Sequence, residues 1–109
     1  MFAGAGKDRL CIGGSSSPAA VITYAAGSQA NCSARGRVEE EQGKLFFLPQ
    51  DDGACRIELR RDGTDRLTLG RPSAGCAYYC GPGASLEGKT FVRMDRPEPV
   101  TDLAGDPLC

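Results

Sequence analysis

Apolar and polar positions alternate most strictly between Cys55 and Arg60: Cys55, Ile57 and Leu59 interleave with Arg56, Glu58 and Arg60. A period of two puts one set on each face of a strand. Arg61-Asp62-Gly63-Thr64-Asp65 supplies turn residues, and Leu67 and Leu69 then resume the alternation against Arg66 and Thr68. This predicts a β-hairpin. With the turn centred on Gly63, Leu59 faces Leu67 and Cys55 lies near Arg71. Upstream, Lys44 to Leu48 is an apolar run ended by Pro49, read as a strand covered on both faces. Gln50-Asp51-Asp52-Gly53 turns the chain into the hairpin, so Lys44 to Gly70 reads as a three-stranded antiparallel meander.

Further strands are expected at Arg9 to Ile12, at Ala19 to Tyr24, rich in β-branched residues, and at Lys89 to Met94. Arg35 to Glu39 is another candidate, although Glu39-Glu40-Glu41 also suits a solvated turn of helix. Arg71 to Gly88 is rich in turn residues. The tail from Asp95, with Pro97, Pro99 and Pro107, is expected to run extended and to be tied down at Cys109. Strand signals every 8–12 residues or so imply a small antiparallel barrel or sandwich. The expectation is therefore one all-β domain spanning 1–109, with an extended tail over 95–109.

Composition sharpens this picture. The chain has 109 residues with 15 Gly and 7 Pro. Its longest stretch free of both is Ala54 to Asp62, too short for an ordinary helix of about 11–12 residues. No apolar run approaches the ~20 residues of a membrane span. The net charge of −1 argues against a nucleic-acid footprint. Histidine is absent, which removes the commonest general base and the usual nitrogen ligand for zinc.

The six cysteines are Cys11, Cys32, Cys55, Cys76, Cys80 and Cys109. No Cys-x-x-Cys pair occurs, so a zinc site is disfavoured and three disulfides are expected. That places the protein in an oxidising compartment, periplasmic or extracellular. Met1 to Gly6 lacks the basic start and apolar core of a signal peptide, and reads as the start of a mature domain with an added initiator Met. The hairpin brings Cys55 toward Cys76, a feasible bridge. The two outer cysteines are expected to fasten the ends.

Candidate chemistry is sparse. Pairs among Glu39, Glu40, Glu41, Asp51, Asp52 and Glu58 are formal candidates for carboxylate catalysis, and each also suits a turn or a solvated strand face. Gly13-Gly14-Ser15-Ser16-Ser17 lacks the Gly-Lys-Ser/Thr of a phosphate loop. Asn31-Cys32-Ser33 matches a glycosylation acceptor, which a buried bridge at Cys32 would oppose. The most unusual segment is Cys76-Ala77-Tyr78-Tyr79-Cys80-Gly81-Pro82-Gly83-Ala84-Ser85-Leu86-Glu87-Gly88-Lys89. Tyrosine offers large contact area at low entropic cost, and bridged cysteines would hold such a loop rigid. Tyr78, Tyr79, Gly81, Pro82, Ser85 and Lys89 are the expected partner-binding residues. A second expectation is a small-ligand pocket in the barrel mouth near Phe46, Phe47 and Tyr78.

The run from Cys55 to Phe91 reads Cys-x-Ile-x-Leu, a Gly turn, Leu-x-Leu, then Cys-x-x-Tyr-Cys-Gly-x-x-Ala-Ser-Leu-x-Gly-x-x-Phe. It resembles the C-terminal half of small secreted or periplasmic proteins of Gram-negative bacteria. Within that set it is loosely similar to the inhibitors of c-type lysozyme, which are small disulfide-bearing β-barrels. In those inhibitors a Ser-Gly-x-x-Tyr motif enters the lysozyme cleft. The nearest match here is Ala74-Gly75-Cys76-Ala77-Tyr78, with Ser73 one residue early, and the family's second motif, around a Lys-Gly pair, has no clear counterpart. The resemblance implies a non-catalytic binding protein, without cofactor or metal, whose partner is a lysozyme-like cell-wall hydrolase.

Overall fold

The computed structural model describes residues 1–13, 18–24, 31–50, 53–81, 83–96, 99–102 and 104–108. Eight strands close into one antiparallel barrel in simple chain order. They are β1 Phe2–Ala3, β2 Arg9–Ile12, β3 Pro18–Thr23, β4 Cys32–Glu41, β5 Lys44–Pro49, β6 Ile57–Asp62, β7 Arg66–Leu69 and β8 Thr90–Arg93. β8 pairs with β1, Phe2 opposite Arg93, and closes the ring. Closure removes the unpaired strand edges that would otherwise template aggregation. The expected all-β barrel is thus the fold, and the β5–β6–β7 meander is as read from the alternation.

The inward positions form one core. Leu10, Val21, Val38, Phe47, Ile57, Leu59, Leu69 and Phe91 meet inside the barrel. An eight-stranded barrel has an interior just wide enough for side chains to fill, and these residues fill it. A second, smaller cluster lies outside the wall. Ala20, Ile22 and Cys11, on the outward face of β2 and β3, pack against Leu108 and Val100 of the tail. That explains why β3 is apolar at nearly every position: both of its faces are covered.

Several expectations are corrected. The strand covered on both faces is β3, not β5. On β5, Phe47 and Pro49 point inward and are buried, whereas Phe46 and Leu48 are half-buried on the outer face. The hairpin pairs Leu59 with Leu69 and Asp62 with Arg66, leaving three residues, 63–65, in the loop. Leu59 therefore does not face Leu67. Gly63 takes the positive φ of +72° that the turn requires. Glu39, Glu40 and Glu41 finish β4 as strand rather than helix. The tail is not simply extended: Thr101 bridges Pro107, and the Leu108 amide donates to the Val100 carbonyl at 2.8 Å.

The topology sorts the connections between two ends. The long β7–β8 connection lies at one end, together with the connections that follow β1, β3 and β5. The β2–β3 connection and the short β4–β5 and β6–β7 turns lie at the other. No helix among the described residues is long and apolar enough to cross a membrane.

Candidate functional site

The long-loop end is closed by a 3-10 helix, Ala74–Tyr79, within the β7–β8 connection. Three devices seat it. The first is Ser73. Its Oγ donates to the Ala54 carbonyl at 2.8 Å and accepts from the Arg56 amide at 2.9 Å. Its own amide donates to the Arg56 carbonyl at 3.2 Å. These bonds continue the β6–β7 pairing past the last strand residue, because the observed register puts Ser73, rather than Arg71, beside this chain segment.

The second device is Gly75. A Cβ there would sit 2.3 Å from the Ala54 carbonyl oxygen and 2.6 Å from its carbon. Only glycine lets the helix press this closely on the chain entering β6.

The third device is covalent. Cys76 bridges Cys55 and Cys80 bridges Cys32, across 21 and 48 residues of sequence. In the chain-entropy model such closures contribute about 3 and 4 kcal/mol. The first is the bridge expected from the hairpin. Cys11 is also disulfide-bonded, and Cys109 lies outside the described residues. Beyond Cys80, the Gly81 amide donates to the Asn31 carbonyl at 2.8 Å, which extends the bridge into a short backbone pairing. Cys32 is fully buried, which opposes use of Asn31 as a glycosylation acceptor.

The two tyrosines between these bridges part company. Tyr79 turns inward and is 8% exposed, packed in the core; Tyr78 is 83% exposed. Their rings meet edge to face, centroids 5.2 Å apart. The two side chains diverge on a 3-10 backbone. Tyr79 is therefore corrected from a contact residue to a supporting one. A groove of about 200 Å³ runs beside the helix, with Arg71, Ser73, Ala77 and Ser85 among its lining residues.

The other expected contact residues are less exposed or engaged locally. The Ser85 hydroxyl accepts from the Glu87 amide at 3.1 Å, a turn of its own. Lys89 is half-buried where the connection returns to β8. Gly81 is half-buried in the pairing with Asn31. Pro82 lies outside the described residues. Tyr24, not singled out from the sequence, is 38% exposed at the end of β3 on this same end of the barrel. Its amide donates to the buried Asp8 carboxylate at 2.8 Å.

The candidate acids are engaged by arginines. Glu39 pairs with Arg37 at 2.8 Å, Glu40 with Arg61 at 3.6 Å, and Glu58 with Arg60 at 3.7 Å. Glu41 pairs with Arg56, whose guanidinium also covers the Phe46 ring at 3.9 Å. Asp51, Asp52 and the 14–17 part of the serine loop lie outside the described residues. The ligand pocket expected near Phe46, Phe47 and Tyr78 is corrected: Phe47 is sealed in the core, Phe46 faces outward beneath Arg56, and Tyr78 stands at the closed end. Compared with known families, curated proteins and solved structures, the chain shows no match to any of them.

Proposed function

We propose that this chain is a non-catalytic, extracytoplasmic binding protein that inserts Tyr78 into the cleft of a protein partner, a lysozyme-like cell-wall hydrolase. The observation that carries the reading is one exposed aromatic side chain, 83% accessible, on a segment bridged at Cys76 and Cys80 to two different parts of the barrel. An ordinary exposed loop tyrosine needs no such bracing. A rigid aromatic anchor binds well because little freedom remains to be lost on association. The disulfides support an oxidising compartment. The absence of histidine from the chain supports recognition over reaction. The lysozyme-like partner comes from the resemblance of Ala74-Gly75-Cys76-Ala77-Tyr78 to the inhibitor motif.

One departure from that motif has a physical consequence. Ser73 is committed to Ala54 and Arg56, so its hydroxyl braces the loop, and contact with the partner falls to Tyr78.

The test is the lytic rate of a c-type lysozyme on cell-wall substrate, with the oxidised protein added at micromolar concentration. The reading expects slowed lysis with the wild type and loss of that effect with Tyr78→Ala. Unchanged lysis with the wild type would remove the hydrolase partner.

A further inference from the structure

At the barrel end opposite Tyr78, the described residues leave a recess. It is a cavity of about 460 Å³, within the range of small-ligand sites. Phe2, Ile12, Leu45 and Leu67 form its apolar floor. Phe2 and Leu67 belong to the buried core, and Ile12 and Leu45 pack against it, so the cavity is a cup set on that core.

Its rim is set by strand alternation. On β6 the inward series runs Ile57, Leu59, Arg61; on β8 it runs Phe91, Arg93. Two guanidiniums thus occupy positions that deeper in the barrel are apolar. Arg66, from the outward series of β7, also borders the cavity, and its side chain makes no hydrogen bond or ion pair among the described residues.

The other two arginines are held but not saturated. Arg93 Nη2 donates to the Thr64 carbonyl at 3.2 Å, and its guanidinium lies 5.2 Å from the Phe2 ring centre. Its Nε is 3.6 Å from Asp65 Oδ1, and Arg61 Nη2 is 3.6 Å from Glu40 Oε2. Both separations exceed the ordinary N–H···O range of about 2.7–3.2 Å. These carboxylates temper the positive charge while leaving guanidinium N–H groups available. Among the described residues, no acidic residue lines the cup itself.

An arginine that serves only solubility needs no apolar surface behind it. Here donors suited to a planar anion ring an apolar cup. We infer that this end binds a small amphiphilic carboxylate, its chain on Phe2, Ile12, Leu45 and Leu67 and its head on Arg61, Arg66 and Arg93. The site is separate from the Tyr78 loop, and neither reading depends on the other.

The test is a titration followed by backbone amide NMR, with three probes kept below micelle formation: octanoate, octylamine and acetate. Octanoate is expected to shift the amides of Ile12, Leu45 and Leu67 saturably. Octylamine, with the same chain and opposite charge, and acetate, with the head alone, are expected to bind at least about tenfold more weakly. The Arg61→Gln/Arg93→Gln double variant is expected to lose about tenfold or more in octanoate affinity. Equal binding of octanoate and octylamine, shifts scattered away from the cup, or undiminished affinity in the folded double variant would overturn the inference. Should the variant fail to fold, the comparison of the three probes on the wild type decides alone.

Discussion

Tyr78 and Tyr79 are adjacent in the chain and opposite in role. The Tyr79 ring fills space in the core, so Tyr79→Ala leaves a cavity and is expected to cost about 3 kcal/mol, read as a lower urea midpoint. The same truncation at Tyr78 removes a mostly exposed side chain and should leave the stability within about 0.5 kcal/mol of wild type. Gly75 is the second sensitive position. Its replacement by Ala forces a methyl group against the Ala54 carbonyl, 2.3 Å away. The backbone must yield, at a cost of about 1–3 kcal/mol. Hydrogen exchange should then speed up at the Cys76 and Ser73 amides, whose bonds depend on that seating.

At the level of elements, the strands with clear periodicity were legible and the parts without it were not. Ile57–Asp62 and Arg66–Leu69 follow from strict alternation, and the turn before them led to the pairing of Ile57–Asp62 with Lys44–Pro49. The hairpin register was displaced because Gly63 begins a three-residue loop and does not centre it. The strand Phe2–Ala3 has only two residues, too few to carry a period. The 3-10 helix lies in a Gly/Pro-rich stretch, where its seating depends on Ala54 and two bridges distant in sequence. In the candidate site, the Tyr-Tyr pair and the Cys55–Cys76 bridge were readable. Tyr79's inward turn was not, since it depends on which face of the helix meets the core. Arg61 and Arg93 carried a usable signal: each continues an inward-facing alternation with a charge.

The tail is an element with its own switch. Asp102 accepts from the Asp106 and Ala104 amides at 2.9 and 3.0 Å, and Arg35 Nη2 reaches its Oδ2 at 3.1 Å. The Asp106 amide foremost, and then Arg35, hold its pKa below the ordinary carboxylate value. A depressed carboxylate stabilises the fold above its unfolded pKa of about 4, and that contribution is lost as pH falls through the lower folded value. Protection of the Ala104 and Asp106 amides should therefore fall on acidification below about pH 4. Asp102→Asn should flatten that pH dependence; an unchanged acid profile in this variant would assign the transition to another group.

Over the whole molecule, the barrel separates two kinds of surface. One end is plugged and braced, with an aromatic anchor outermost; the other, among the described residues, holds a cup bordered by arginines. Glu39, Glu40 and Glu41 form no unmatched acidic face, since each is paired with an arginine. Association with a cationic partner through Tyr78 should therefore gain little from long-range attraction. Its rate is expected near the unsteered ~10⁵–10⁶ M⁻¹s⁻¹ and to change little with added salt; a steep fall with salt in stopped-flow measurements would reveal an acidic face elsewhere. The central claim is that the bridges hold Tyr78 out as the anchor for a partner's cleft. Isothermal titration of a c-type lysozyme with the oxidised wild type and with Tyr78→Ala tests it most directly. Saturable binding that weakens by about 2 kcal/mol or more in the variant is the expected result; equal affinity in the two, or no binding by the wild type, would contradict it.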